Sequence, residues 1–322
     1  MSLSNRRLLE ENSTLAPAGR LLGQLVIPEG SDTAWLIGGW NGGLPGCLGG
    51  LVGKYEVMYG DVWTMNLNTP EPRWRNVTQD LGPIEFPGTS RFQAASIGAK
   101  IYIHNHRCAR EGGIIYCIDT ETSKLEKIST KGPTPPGGRG LHSMTAVGQK
   151  LYVFGGAPQS GQFFDDFYVL DTEIMEWTQL KPTGESPGVR GAQVASCHGS
   201  KIYFWGGARR IGKNVEVSMG PLEYGPELYV YDTEADEWQW PEVTGMQRGF
   251  VPDGEVIPAA VDCRAPRPGT GMTMVTLDHA SLGPCLGLYG GWMPFKETYG
   301  ETWLLPVKVD TLPESLPATI CT

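Results

Sequence analysis

The stretch IYIHNHRC, residues 101 to 108, holds the densest set of metal-ligating side chains in the sequence. Alternate residues of an extended chain share a face, so His104, His106 and Cys108 would project together if the strand continued. Neutral imidazole and thiolate are donors that suit zinc or copper. No second ligand pair follows at a fixed spacing, and a repeat that has lost its glycines would leave the same letters as surface or channel-lining polar groups. The expectation is therefore no metal and no cofactor.

Other chemistry is harder to assemble. His142 falls in an inner strand, where it would satisfy backbone groups, and His198 and His279 fall in turns between strands. None has a Ser or Cys at a triad-like spacing, and H-E-x-x-H and the P-loop pattern are missing. No helical pattern follows the Gly-Gly pairs, so they offer no helix N-terminus to a phosphate. Asp165, Asp166, Asp171 and Asp232 read as turn acids that accept bonds from nearby backbone N–H groups. No catalytic residue is expected.

What positions these residues is a repeat. The segment GGRGLHSMTAVGQKLYVFGG, from residue 137, matches PGVRGAQVASCHGSKIYFWGG, from residue 187, at an offset of 51, and both continue into D-T-x-x-x-x-W. Arg139 falls on Arg190 and Gly155 on Gly206, and after an insertion Asp171 falls on Asp232 and Trp177 on Trp238. The same frame starts at Arg20, at Arg91, where His-Asn-His replaces Phe-Gly-Gly, and at Arg267, which gives five units. Each holds three short strands rich in Val, Ile, Tyr and Phe, and a fourth, poorer strand carries the tryptophan, which is Leu125 in the second unit and missing from the fifth. Four antiparallel strands in roughly 50 residues make a propeller blade, whose faces are buried only by stacking on neighbouring blades. The glycine pair lets the chain turn out of the crowded centre at φ angles other residues avoid.

The order GG, aromatic-bearing strand, D-T-x-x-x-x-W resembles the kelch repeat. It is sharpest in the third and fourth units, weakest in the second, and covers about residues 20 to 308. The resemblance implies an all-β, kelch-type β-propeller, a single domain over residues 1–322 with five recognisable blades. Kelch propellers include both interaction modules and enzymes, and fold does not fix function. The fifth unit lacks a clear fourth strand, so residues 6 to 11 are expected to supply it beside residues 302 to 309 and close the ring, removing an exposed sheet edge. Residues 245 to 266 could hide a sixth blade, although a long loop is the simpler reading.

A formal charge of −9 and a pI near 5.1 argue against a general nucleic-acid binder, which needs a basic face. Seven cysteines without a CxxC pair read as reduced thiols. The N-terminal residues turn acidic before any apolar run forms, and no 18 apolar residues run together, so the expected place is the cytoplasm with no membrane insertion.

The five arginines recur in every unit, which is what a structural role bonding backbone carbonyls between blades demands; an anion pocket is the functional alternative. Binding residues should differ between units, and the loops after each glycine pair vary most. In kelch relatives these loops help form the recognition face. Here they carry Trp40, Tyr55 and Tyr59 in the first unit, Arg107 and Arg110 in the second, Arg209, Arg210 and Lys213 in the fourth, and Trp292 and Phe295 in the fifth. Trp, Tyr and Arg dominate interface energetics. The expected function is a non-catalytic interaction module, a scaffold or assembly subunit that binds another protein, with the loop cations suited to an acidic segment. An enzyme acting on a small molecule in the channel mouth, metal-assisted through His104 and His106, is the alternative.

Overall fold

The computed structural model of the chain describes residues 16–40, 58–84, 86–104, 112–158, 162–210, 222–225, 227–241, 251–252, 270–293, 297–298, 300 and 302–306. The fold is all-β, a five-bladed β-propeller arrangement. The first blade joins β1 (Gln24–Val26), β2 (Thr33–Trp40), β3 (Met58–Asn66) and β4 (Trp74–Asn76) in that order. The second joins β5 (Gln93–Ile97), β6 (Lys100–His104), β7 (Ile114–Asp119) and β8 (Lys124–Ser129). The third joins β9 (Ser143–Val147), β10 (Lys150–Phe154), β11 (Phe167–Asp171) and β12 (Glu176–Leu180).

In the fourth, β13 (Val194–His198) and β14 (Lys201–Trp205) are followed by two short strands, β15 (Ala208–Arg210) and β16 (Leu222–Tyr224), before β17 (Leu228–Asp232) and β18 (Glu237–Gln239) complete the sheet. The next strand, β19 (Val251–Pro252), pairs with β16. The fifth blade has β20 (Thr273–His279) and β21 (Gly283–Tyr289), then the hairpin β22 (Trp292–Met293) and β23 (Glu297–Thr298), then β24 (Thr302–Pro306) beside β21. The expected closing strand at residues 6 to 11 lies outside the described residues, as does residues 245 to 266 apart from β19. That strand adds to a loop sheet of the fourth blade.

Two compact units divide the chain, Met1–Gly140 with Asp171–Trp177 and Leu141–Leu170 with Thr178–Thr322. Each has its own core. In the first unit Val26, Trp35, Ile37 and Val62 of the first blade meet Phe92, Ile101, Ile103 and Ile118 of the second. In the second unit one cluster joins Tyr152, Phe154 and Phe167 to Ile202, Phe204 and Tyr231, and another joins Tyr203, Trp205 and Val230 to Met274, Leu288 and Trp303. The second strands of the second, third and fourth blades are buried on both faces instead of alternating. KIYIH, KLYVF and KIYFW each bury every residue after the lysine.

Turns follow the anticipated chemistry. The Asp171 carboxylate accepts the N–H groups of Glu173 and Ile174, and Asp232 accepts those of Glu234 and Ala235. The residue that ends each of these turns, Met175 or Asp236, has positive φ. The outer rims are tied by a device the sequence did not announce. Lys131 pairs in parallel with Glu176, and Thr183 with Glu237, so that Trp177 N–H and Trp238 N–H donate to the Lys131 and Thr183 carbonyls at 2.9 and 2.8 Å.

Close approach at these ties requires a glycine next. A Cβ on Gly184, at φ +82, would stand 2.2 Å from the Trp238 carbonyl oxygen, whereas one on Gly199, at φ +58, would meet nothing within 4 Å. Gly199→Ala should therefore cost about 1–2 kcal/mol for left-handed backbone alone. Gly184→Ala should cost about 1–3 kcal/mol more for the clash. Urea midpoints of the two variants measure the difference, and equal midpoints would show that the rim tie is absent.

Candidate functional site

The glycine pairs define one end of each blade, and the chemistry there begins with arginine. Gly38 and Gly39 have φ of +53° and +114°, and Gly206 and Gly207 repeat this at +69° and +90°. The first glycine of each pair offers its carbonyl to an arginine of the same blade. Arg20 Nη1 donates to Gly38 O at 2.9 Å, and Arg190 Nη1 donates to Gly206 O at 3.0 Å. Each also faces a carboxylate just before the third inner strand or within it. Arg20 makes two bonds to Asp61, at 2.6 and 3.0 Å, and Arg190 Nη2 lies 3.4 Å from Glu227 Oε2. A tyrosine ring completes each cage, with Tyr59 4.3 Å from the Arg20 guanidinium carbon and Tyr229 5.0 Å from that of Arg190.

These arginine side chains are buried, with 6% of Arg20 and 1% of Arg190 exposed. Burial pushes the Arg190 pKa down, while Tyr229 and Glu227 hold it up. The structural reading of the arginines is upheld for both: besides the glycine carbonyl, Arg20 Nε donates to Ala18 O at 3.1 Å and Arg190 Nε to Pro187 O at 3.0 Å, in the segments that lead into each blade. The residues missed from sequence are the acids. An acid precedes two apolar residues at the start of the third inner strand in Asp61-Val62-Trp63, Asp166-Phe167-Tyr168 and Glu227-Leu228-Tyr229, which is the signal that could have found them.

Two of the five arginines were framed two residues out of register, Arg91 late and Arg267 early. In the first, third and fourth blades the arginine stands four residues before the first strand and is followed two residues later by a positive φ, at Leu22, Leu141 and Ala192. In the second blade Arg91 itself has φ +62°, so Thr89 holds the arginine place. Thr89 accordingly accepts the Gly39 N–H at 2.8 Å, as Arg190 accepts that of Gly156 at 2.7 Å. In the fifth blade the positive φ falls on Gly271, so Arg267 does not stand at the same two-residue spacing in the sequence, and residue 267 itself lies outside the described residues.

His104 is fully buried and belongs to the packing, not to a surface or a channel lining. It occupies the place of Phe154 in the next blade. Its ring lies 5.1 Å from that of Trp177, as Phe154 lies 5.3 Å from Trp238. Nε2 is 3.0 Å from the Gly112 carbonyl, which can only accept, so that nitrogen carries the proton. Burial drives its pKa down to about 3, with Arg139 adding to the effect and the Gly112 bond opposing it. His106 and Cys108 lie outside the described residues. His142 is buried, just before β9, and His279 Nδ1 accepts the N–H groups of Ser281 and Leu282 in the expected turn.

Of the expected recognition residues, Tyr55, Arg107, Arg110, Lys213 and Phe295 lie outside the described residues. Trp40 is half-buried, its backbone exchanges two bonds with Leu21, and Arg91 sits 5.6 Å from its ring. Tyr59 is the ring against Arg20. Arg209 donates through Nε to Glu223 at 2.8 Å, across the β15–β16 pair, with 39% of its side chain exposed. The backbone of Arg210 continues β15, and that of Trp292 opens β22. The glycine-pair loops of the fourth and fifth blades are thus small sheets in their own right.

A family model described as the KLHDC2/KLHL20/DRC7 Kelch-repeats domain matches residues 92–251. The chain is 32% identical over 142 residues to the Rho GTPase-activating protein gacHH of Dictyostelium discoideum, covering 40% of this chain and 9% of that protein. It is 30% identical over 146 residues to Kelch domain-containing protein 3 of Bos taurus, covering 43% and 36%. It thus spans well under half the length of either. A third relative, N-(sulfonatooxy)prop-2-enimidothioate sulfolyase of Thlaspi arvense, is 26% identical over 256 residues, covering 76% and 66%. Among solved structures, YjhT superposes with a TM-score of 0.60 at 14% identity, over 90% of this chain and 83% of that one, a likeness of fold.

The depressed histidine has a consequence for stability. Between pH 6.5 and about 3 the unfolded chain takes up a proton on His104 that the folded chain refuses. This contribution is complete above pH 6.5 and is lost as the pH falls, with a slope of up to about 1.4 kcal/mol per pH unit. His104→Phe, which copies the next blade, should flatten the acid limb of a plot of unfolding free energy against pH. An unchanged limb would mean that His104 is accessible when folded.

Proposed function

The chain belongs to the kelch-repeat β-propellers, and from that premise we propose that it is a non-catalytic interaction module, a scaffold or assembly subunit that binds another protein through its glycine-pair loops. The observation that carries this reading is the elaboration of those loops. In the fourth blade the β14–β17 ladder passes the glycine pair and continues as β15 and β16, to which β19 adds from a distant part of the sequence. In the fifth, β22 and β23 form a hairpin at the same place. Blade cores need no such additions, and ordered loops on a rigid scaffold are where proteins concentrate recognition.

Arg107, Arg110, Arg209, Arg210 and Lys213 give these loops a cationic character within an acidic chain, which favours an acidic segment on the partner. Arg209 would exchange its exposed pairing with Glu223 for the partner's carboxylate, a small loss at a surface site. The scaffold arginines, by contrast, are already neutralised inside their own blades.

A second reading, an enzyme acting on a small molecule, draws on the likeness to the sulfolyase, which extends over more of this chain than that to gacHH or to Kelch domain-containing protein 3. His104 does not serve it, because its ring is buried and its Nε2 proton is committed to Gly112.

Affinity capture from native extract with the intact chain and with the Arg209→Glu, Arg210→Glu variant separates these readings. A partner recovered in stoichiometric amount by the parent, and reduced at least about tenfold by the variant, is the expected result. Equal recovery would remove the fourth-blade cations from the interface. Absence of any partner, with consumption of a small molecule from the same extract, would favour the enzyme.

A further inference from the structure

Arg190 and Gly191 form a strut with bonds on both sides. Toward the third blade, Arg190 O accepts the Gly156 N–H at 2.7 Å, and Arg190 N–H donates to Phe164 O at 3.1 Å. Toward the fourth, Gly191 exchanges two bonds of 2.8 Å with Ala208, the first residue of β15. Two loops of separate blades are therefore tied to adjacent residues. A side-chain cluster sits over the strut, apart from the blade cores. Ala157 and Phe163 of the third-blade loop are buried with Ala208 and Tyr224 of the fourth, and Leu141 and Leu222 pack against them. Phe163 is central to it: a Cβ on Gly191 would meet the ring at 3.1 Å (Cδ2) and 3.2 Å (Cε2).

We propose that Phe163 is a positioning residue that locks the glycine-pair loops of the third and fourth blades into one recognition platform. Its ring gives residues 157–158 and 162–164 and the β15–β16 strand pair a shared apolar core, so that neither segment opens without weakening the other. A partner that touches one loop meets a surface whose order depends on both. The functional meaning rests on the interaction-module reading above, but the coupling is a property of the free chain and is measured without any partner.

Amide hydrogen exchange on the intact chain tests it, followed by mass spectrometry in the parent, Phe163→Ala and Phe163→Leu. Phe163→Ala should speed exchange by at least about tenfold at residues 208–210 and 222–224 as well as at 157–164, while β13 and β14 keep their protection. Phe163→Leu, which retains apolar volume, should recover most of the protection at both loops. Faster exchange confined to 157–164 would overturn the proposal, and so would a uniform rise across the fourth blade, which reports global destabilisation. If Phe163→Ala does not fold, Phe163→Leu alone decides: a graded rise at both loops supports the coupling, and no change at 208–224 overturns it.

Discussion

A buried guanidinium must find enough acceptors to replace water, and the inner end of the blade is organised around that demand. Arg20 and Arg190 each take a glycine carbonyl, a carboxylate and a tyrosine face from their own blade. The carbonyl is within reach because Gly38 and Gly206 adopt positive φ. The carboxylate is within reach because it stands at the third inner strand, beside the one that ends in the glycine pair. Arginine, glycine pair and acid are thus three parts of one electrostatic arrangement, spread over some forty positions of sequence.

Neighbouring blades are then attached by backbone. The glycine that follows the arginine's carbonyl acceptor turns its own N–H to the next blade, reaching Thr89 from Gly39. Because this bond uses main-chain atoms, the second blade can lack both arginine and glycine pair and still be held. There a buried neutral imidazole stands where the next blade has phenylalanine, and the contact with the following tryptophan is kept. A degenerate repeat has lost its polar apparatus while retaining its packing.

Much of this was legible in the letters. Strand runs, glycine pairs and turn aspartates follow from backbone preferences that one sequence displays, and Asp171 and Asp232 bond as such preferences dictate. The arginine frame was legible only where the motif is strong. At Arg91 and Arg267 a visible letter drew the frame two residues away from the place fixed by strand register and by the positive φ. His104 misled for a related reason, since polarity in a sequence says nothing of burial when the acceptor, Gly112, lies across an intervening loop. Tertiary pairs such as Arg20 with Asp61, 41 positions apart, and the Phe163 cluster depend on how blades stack.

The rim ties through Lys131 and Thr183 bear on how such a chain tolerates insertion over evolutionary time. Between the second and third blades and between the third and fourth the rim is fastened by main-chain atoms, and the stretch from fourth strand to next first strand is thirteen residues long in both, 130 to 142 and 181 to 193. The segment leaving the glycine pair is anchored at both ends too, yet its length differs between the same blades. From Gly156 to β11 it spans ten residues, and from Gly207 to β17 it spans twenty, yet both sheets keep the same strand count. Between these two blades, growth in length is confined to one end of the sheet.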